Sequence, residues 1–195
     1  MRYIRLEPAI SSCTKCTCID KPYVKHQAYS IWLPRKVEVL AIGESPPPGH
    51  KESFFYNLGC FDRLRQALKY AFKIDSDEQL LQELRDLGVF ITAAVKCRPL
   101  SKKHIPAMRA NCVKILQQEV EVLKPSRIVA MGSTALTSTA ELYGLKMPDT
   151  VVGIYKLADS PLEIYVLPHP LYLFRFRREL LHQLKLLLSK EEVRV

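Results

Sequence analysis

"VFITAAVKCRPL", residues 89–100, decides the fold class. It opens as a short continuous apolar run with β-branched Val89, Ile91 and Val95. A run of that kind belongs to a strand buried on both faces, as in a parallel sheet. It narrows to Ala93-Ala94 and ends in Lys96-Cys97-Arg98-Pro99. The strand therefore delivers a thiol flanked by two cations to its own exit. Three more runs share this character: "VEVLAIG" (37–43), "SRIVAMGS" (126–133) and "EIYVLPHP" (163–170).

Helical patterns separate the runs. "FDRLRQALKYAF" (61–72) sets Phe61, Leu64, Leu68 and Phe72 on one face. "SDEQLLQELRDLG" (76–88) offers Ser76 as N-cap and Gly88 as C-terminal stop. "AMRANCVKILQQEVEVLK" turns Met108, Cys112, Ile115, Leu116 and Leu123 inward, and "STALTSTAELYG" opens at Gly132-Ser133-Thr134. A last helix over about 174–190 has Leu180, Leu181, Leu184, Leu187 and Leu188 inward. Residues 1–36 form a poorly periodic arm that carries "CTKCTC". Strands alternating with helices imply a parallel sheet covered on both faces. Ligands in such folds sit at the carboxyl ends of the strands. Those ends are Gly43-Glu44, Cys97-Arg98, Gly132-Ser133 and His169-Pro170, with His169 expected opposite Glu44 on an adjacent strand end.

The chain has 195 residues and a net charge of +9. That length suits one domain, residues 1–195 with the arm packed on it. No apolar run approaches the ~20 residues of a membrane span, and "MRYIRLEPAISS" lacks the apolar core of a signal peptide. A soluble, cytoplasmic monomer is expected. The positive charge points to a polyanion, with nucleic acid as the first expectation.

Cys13 and Cys16 form a C-x2-C pair, and fourteen residues separate Cys97 from Cys112. Thiolates at four convergent points suit a soft metal centre, iron–sulfur or tetrahedral zinc. The wide second pair favours an iron–sulfur cluster over a zinc ribbon. Lys15, Lys96 and Arg98 would favour thiolates over thiols. A core role for Cys112 is the plain alternative. Cys18 and Cys60 are spares, though Cys18 could replace Cys16.

"GESPPPGH" lacks the phosphate-loop patterns. Its prolines hold Glu44 in a stiff turn, followed by His50, Phe54, Phe55 and Tyr56. A carboxylate, an imidazole and aromatic rings suit a flat heterocycle; an ordinary surface loop over core phenylalanines is the alternative. In "LPHPLYLFRFRRE", prolines hold His169 stiffly. Leu171, Tyr172 and Leu173 with Arg175, Arg177 and Arg178 suit a wedge in a base stack with cations on phosphates. Phe174 and Phe176 fit the core face of a helix start. Ser133 at a helix start is a phosphate seat or a plain N-cap.

Taken together, these motifs resemble the uracil-DNA glycosylase superfamily, most closely its iron–sulfur branch (families 4 and 5). The likeness runs in order over roughly residues 10–185. "GESP" resembles G-E-x-P, "VFITAAVKCRP" is similar to V-Y-I-T-N-x-V-K-C-R-P, and "IVAMGSTA" to I-V-x-L-G-x-x-A. "RANC" stands at the spacing of the fourth ligand, and "HPLYLFR" corresponds to H-P-S-x-x-x-R. The resemblance implies a three-layer α/β/α sandwich on a four-stranded parallel sheet. It implies a 4Fe-4S cluster on Cys13, Cys16, Cys97 and Cys112, and excision of damaged bases from DNA. Glu44 would position or activate water or stabilise the cationic sugar, and His169 would stabilise the departing base as a neutral donor. Phe55 would stack on the flipped base, and Leu171 to Leu173 would fill the vacated space. Lys96-Cys97-Arg98-Pro99 would bring a ligand and basic residues to the DNA side of the sheet.

Three positions depart from the pattern. His50 stands where family 4 has a carboxylate, Leu171 replaces Ser, and Ala93 replaces the Asn that reads uracil. Alanine makes no side-chain hydrogen bond, so relaxed or altered specificity is expected. Tyr56 and Asn57 are candidate substitutes. Deaminated bases are the expected substrates, uracil first and hypoxanthine or xanthine next. A catalytically weak or inactive DNA-binding protein of the same fold is the alternative.

Overall fold

The computed structural model describes residues 6–148, 150–158 and 161–192. The arm holds three short helices, α1 (Leu6–Ser12), α2 (Pro22–Lys25) and α3 (Ala28–Ile31). Each is too brief to show a helical period, which is why this segment looks aperiodic in sequence. Leu6, Ile10, Tyr23, Ala28 and Tyr29 seat the arm in the main core.

The sheet and its covering helices follow as β1 (Val39–Gly43), α4 (Arg63–Phe72), α5 (Asp77–Asp86), β2 (Val89–Ala93), α6 (Ile105–Leu123), β3 (Arg127–Met131) and α7 (Ser133–Tyr143). The chain closes with β4 (Tyr155–Ala158), β5 (Glu163–Leu167), α8 (Pro170–Phe176) and α9 (Glu179–Leu188). The strand order is β2-β1-β3-β5-β4. The four runs expected as strands are those of the parallel sheet. β1, β2 and β3 are buried along their whole length, as continuous apolar runs require. The sheet has a fifth strand, β4, antiparallel at the edge and only partly buried. An edge strand with one exposed face has no need of an apolar run, so its sequence does not announce it.

Ser76 caps α5 by accepting from the Gln79 N–H, and Gly88 follows with φ +74°. The start of α4 differs from expectation. Asp62 is its N-cap, accepting from the Leu64 and Arg65 N–H groups. Phe61 therefore lies before the helix and is exposed. The C-terminal helix is two helices, broken at Arg177-Arg178. Among the described residues no helix is long and apolar enough to cross a membrane.

Among the described residues six charged residues are buried, Asp62, Arg65, Lys96, Arg98, Glu119 and Arg127, and Arg65, Lys96, Arg98 and Glu119 lie deepest. Lys96 pairs with Glu119 and reaches Thr92, while Tyr29 donates to the other Glu119 oxygen at 2.8 Å. Arg98 donates to Asp20 at 2.9 Å and to the Pro47 and Ser53 carbonyls at 2.9 and 3.0 Å. Both cations of Lys96-Cys97-Arg98 are thus spent inside the protein and offer nothing to a DNA surface. Buried charges must be paired and hydrogen-bonded, and these two fasten the arm and the proline-rich loop to the exit of β2.

Candidate active site

The sheet changes direction between β1 and β3, because β2 lies to one side of β1 while β3 and β5 lie to the other. Such a switch point leaves a crevice at the carboxyl ends of the strands. Glu44 leaves β1 there, half-buried, and its Oε2 accepts from Thr134 Oγ1 at 2.7 Å. Sequence offers Thr134 only as part of the helix opening Gly132-Ser133-Thr134, not as a partner of Glu44; its place in the first turn of α7, opposite a strand-end carboxylate, is the available signal.

His169 follows β5 and meets Glu44 across an intervening strand, since β3 separates β1 from β5. The expected adjacency is therefore corrected by one strand. Gly132, at the end of β3, makes room for His169. Its φ is +92°, and a Cβ there would lie 3.3 Å from His169 Cβ. Having no side chain, Gly132 leaves the imidazole space to settle over the strand end.

The Nδ1 atom of His169 accepts from the Leu171 N–H at 3.2 Å. With Nδ1 an acceptor, the neutral ring carries its proton on Nε2. Burial pushes the imidazole pKa below its ordinary value; the negative charges of Glu44 and Asp62 oppose this, and Lys102 adds to it. The site therefore holds a neutral donor beside a carboxylate.

The aromatic loop after Gly49 is held from behind by Arg65, a residue sequence reasoning passed over. Its Nη1 donates to the carbonyls of Phe54 (3.0 Å), Phe55 (2.7 Å) and Asn57 (2.9 Å), and its Nη2 to that of Cys60. Asp77 balances the charge at 3.0 Å. Phe55 is buried edge-on against Tyr56, with ring centres 5.0 Å apart.

In both candidate substitutes for the missing Asn every side-chain polar atom already has a partner within the protein. Tyr56 donates to the Ile91 carbonyl at 3.0 Å and accepts the Ile91 N–H at 2.9 Å. It thereby closes the free edge of β2, which would otherwise leave buried backbone groups unpaired. Asn57 donates through Nδ2 to the Glu52 carbonyl and accepts the Gly59 N–H on Oδ1. Ala93 is buried in register with Gly43. His50 is exposed on the loop.

Of the residues expected at DNA, Ser133 is exposed in the first turn of α7. On α8, Tyr172 and Arg175 are exposed and Leu171 is half-buried. Leu173 is fully buried and belongs to the core, so it cannot enter a duplex. Phe176, expected inside, is outside. Tyr172 and Phe176, four residues apart on α8, share its exposed side, and Leu173 turns toward the core.

Cys13, Cys16, Cys18, Cys97 and Cys112 gather at the exit of β2, while Cys60 lies on the aromatic loop against the Glu52 and Asn57 carbonyls. Cys97 and Cys112 pack with Val95, Ile105 and Met108, and Cys16 and Cys18 rest on that cluster. None of the six is in a disulfide. Burial pushes the Cys97 thiol up, reinforced by Cys18 and Cys112, with Lys21 opposing. Burial also raises Cys112, against a hydrogen bond from the Lys96 backbone and the Lys96 charge. Cys16 and Cys13 act on Cys112, and Cys18, set aside as a spare, acts on Cys97. Among the described residues no three His, Cys, Asp or Glu side chains stand arranged to hold a metal ion. In kind and number the thiols fit a soft centre, but burial outweighs the cations Lys21 and Lys96 and favours the thiol at Cys97 and Cys112, not the thiolate expected from the flanking charges.

A family model described as "Uracil DNA glycosylase superfamily" matches residues 32–190. The chain is 27% identical over 184 residues to the type-4 uracil-DNA glycosylase of Pyrobaculum aerophilum, covering 88% of this chain and 84% of that one. It is 34% identical over 117 residues to the type-4 uracil-DNA glycosylase of Thermotoga maritima, covering 55% and 57%. To the type-5 uracil-DNA glycosylase of P. aerophilum it is 23% identical over 138 residues, covering 64% and 60%. With the family match running from the end of the arm to the last helix, across every strand of the sheet, the chain belongs to the uracil-DNA glycosylase superfamily.

Proposed function

We propose that this protein is a DNA N-glycosylase of base-excision repair that hydrolyses the N-glycosidic bond of deaminated bases. Uracil is the first substrate, with hypoxanthine and xanthine next. The observation that carries this reading is the neutral, Nε2-protonated His169 beside Glu44. In the reaction the target base leaves the stack and enters the crevice. Glu44 holds a water molecule and takes its proton as the water oxygen bonds to the sugar C1′. The C1′–N bond breaks, and its electron pair leaves with the base. His169 Nε2–H hydrogen-bonds the base oxygen on which that charge collects, in a dry site where such a bond is strong. An abasic site and a free base result.

Phe55 supports the base. Ser133, Leu171, Tyr172 and Arg175 meet the DNA backbone and the vacated space. The arm and sheet act as one catalytic domain, a monomer. A 4Fe-4S cluster on Cys13, Cys16, Cys97 and Cys112 is part of this reading. When bound it supplies a structural cross-link among the arm, β2 and α6. The donor chemistry of the gathered thiols supports it, and iron analysis of the purified protein tests it.

Specificity is expected to be broader than uracil alone. Ala93 brings only a methyl, and the polar atoms of Tyr56 and Asn57 are engaged elsewhere. The same observation favours a second reading, a damage-recognising member with weak catalysis. Glu44→Ala and His169→Ala separate the two. Under the glycosylase reading each loses base excision and keeps duplex binding. Base release at the wild-type rate in either variant contradicts the assigned roles.

A further inference from the structure

Beside α8 the protein has a groove that extends from the DNA-facing residues Leu171, Tyr172 and Arg175 to side chains with no part in excision. Three of its large exposed apolar side chains line this one place: Phe61, 67% exposed; Phe176, 59%; and Tyr172, 47%. Arg63, Arg175 and Arg178 also line it, with Gln66, Leu171 and Phe174, around a cavity of about 560 Å³. Among the described residues no acidic side chain lines it. Tyr172 and Phe176 are one helical turn apart, with ring centres 5.2 Å apart. The Arg175 guanidinium lies 5.1 Å over the Phe176 ring, and that of Arg178 lies 4.8 Å over Phe174.

We propose that this groove binds unpaired DNA, two or three nucleotides of single strand beside the extruded base, with bases on Phe61, Tyr172 and Phe176 and phosphates on the arginines. The chemistry favours this occupant. Aromatic faces alternating with cations are what a single strand needs, because every base has a flat face and every linkage a negative charge. An acidic protein segment would satisfy the guanidiniums but leave three rings with nothing flat to meet. The charge complements a polyanion, and the chain as a whole is +9. Phe61 reaches this position because Asp62 caps α4 and leaves it outside the helix. The proposal rests on the nucleic-acid reading above and extends it from duplex to unpaired strand.

The test uses the full-length protein and two fluorescent, undamaged DNAs, a decathymidylate and a duplex of the same length. Binding is followed by anisotropy. Phe61→Ala combined with Phe176→Ala is the variant; both rings are mostly exposed, and circular dichroism checks that the fold is kept. Affinity for the single strand is expected to fall tenfold or more, with duplex affinity within about twofold of wild type. A 2-aminopurine in the single strand is expected to be quenched by wild type and not by the variant. If the variant shows both effects, the groove is assigned whether or not any base is excised, so a failure of the glycosylase reading alone stays visible. Single-strand binding and quenching equal to wild type overturn the proposal even if excision is robust, and leave the groove to an acidic protein segment. Equal loss on both DNAs also overturns it.

Discussion

Replacing Gly132 by Ala tests how the site is built. The residue has φ +92° and ψ 171°, a region open essentially to glycine alone. An alanine held there costs about 1–3 kcal/mol. Its Cβ would also lie 3.3 Å from His169 Cβ, so the histidine backbone must give by a few tenths of an ångström. Gly144→Ala is the control. Gly144 also has positive φ, +62°, but nothing lies within 4 Å of the added carbon, so it bears the left-handed cost alone. For a chain of this size about 2 kcal/mol corresponds to a fall in Tm of about 4–8 °C. Because a shift of 1 Å in a reacting group can cost about a hundredfold, a few tenths should slow base release about tenfold. The assay pairs thermal unfolding with single-turnover excision for both variants. Gly132→Ala is expected to lose stability and rate, Gly144→Ala stability alone. Full excision by a destabilised Gly132→Ala, or equal slowing by Gly144→Ala, would refute the idea that Gly132 makes room for His169.

Three further outcomes follow from the same geometry. His169 has its pKa lowered by burial, so the neutral donor persists through neutral pH, and excision should fall only as pH drops below the ordinary histidine range. The unfolded chain protonates this ring first, so its contribution to stability is complete above about pH 6.5 and is lost as pH falls through the depressed folded value. A pH–rate profile and pH-dependent unfolding read the two effects, and His169→Gln should abolish both. Ala93→Asn should raise the ratio of uracil to hypoxanthine excision about tenfold or more, while the buried amide costs about 1–3 kcal/mol in the free protein; paired single-turnover rates and urea midpoints measure this. Glu119→Gln leaves the fully buried Lys96 without its counter-charge and should cost about 3–5 kcal/mol in urea unfolding.

Sequence exposes what has a period or a sharp chemical signature. β1, β2, β3 and β5 are legible because strands buried on both faces are apolar throughout. Ser76 and Gly88 mark the ends of α5 because caps have few chemical solutions. β4 is not legible, since an edge strand with one wet face has no apolar run. The break at Arg177-Arg178 carries no proline or glycine to signal it. Glu119 lies on the inner stripe of α6, three residues after Leu116 and four before Leu123, so its burial could have been inferred from spacing; its partner Lys96 could not. In the site, Glu44 and His169 are legible as strand-end residues. Gly132 and Arg65 act through what they permit or hold, which depends on contacts far apart in the chain. Tyr56 and Asn57 show the limit most clearly: residue type made them candidates to read a base, and only their hydrogen bonds show that their polar atoms are already committed.

The most direct measurement is single-turnover incubation of the wild-type protein with duplexes carrying one uracil, hypoxanthine or xanthine, followed by detection of the free base and the abasic site. The account predicts stoichiometric release of uracil and measurable release of at least one of the purines. Binding to all three duplexes with no base released from any would contradict it.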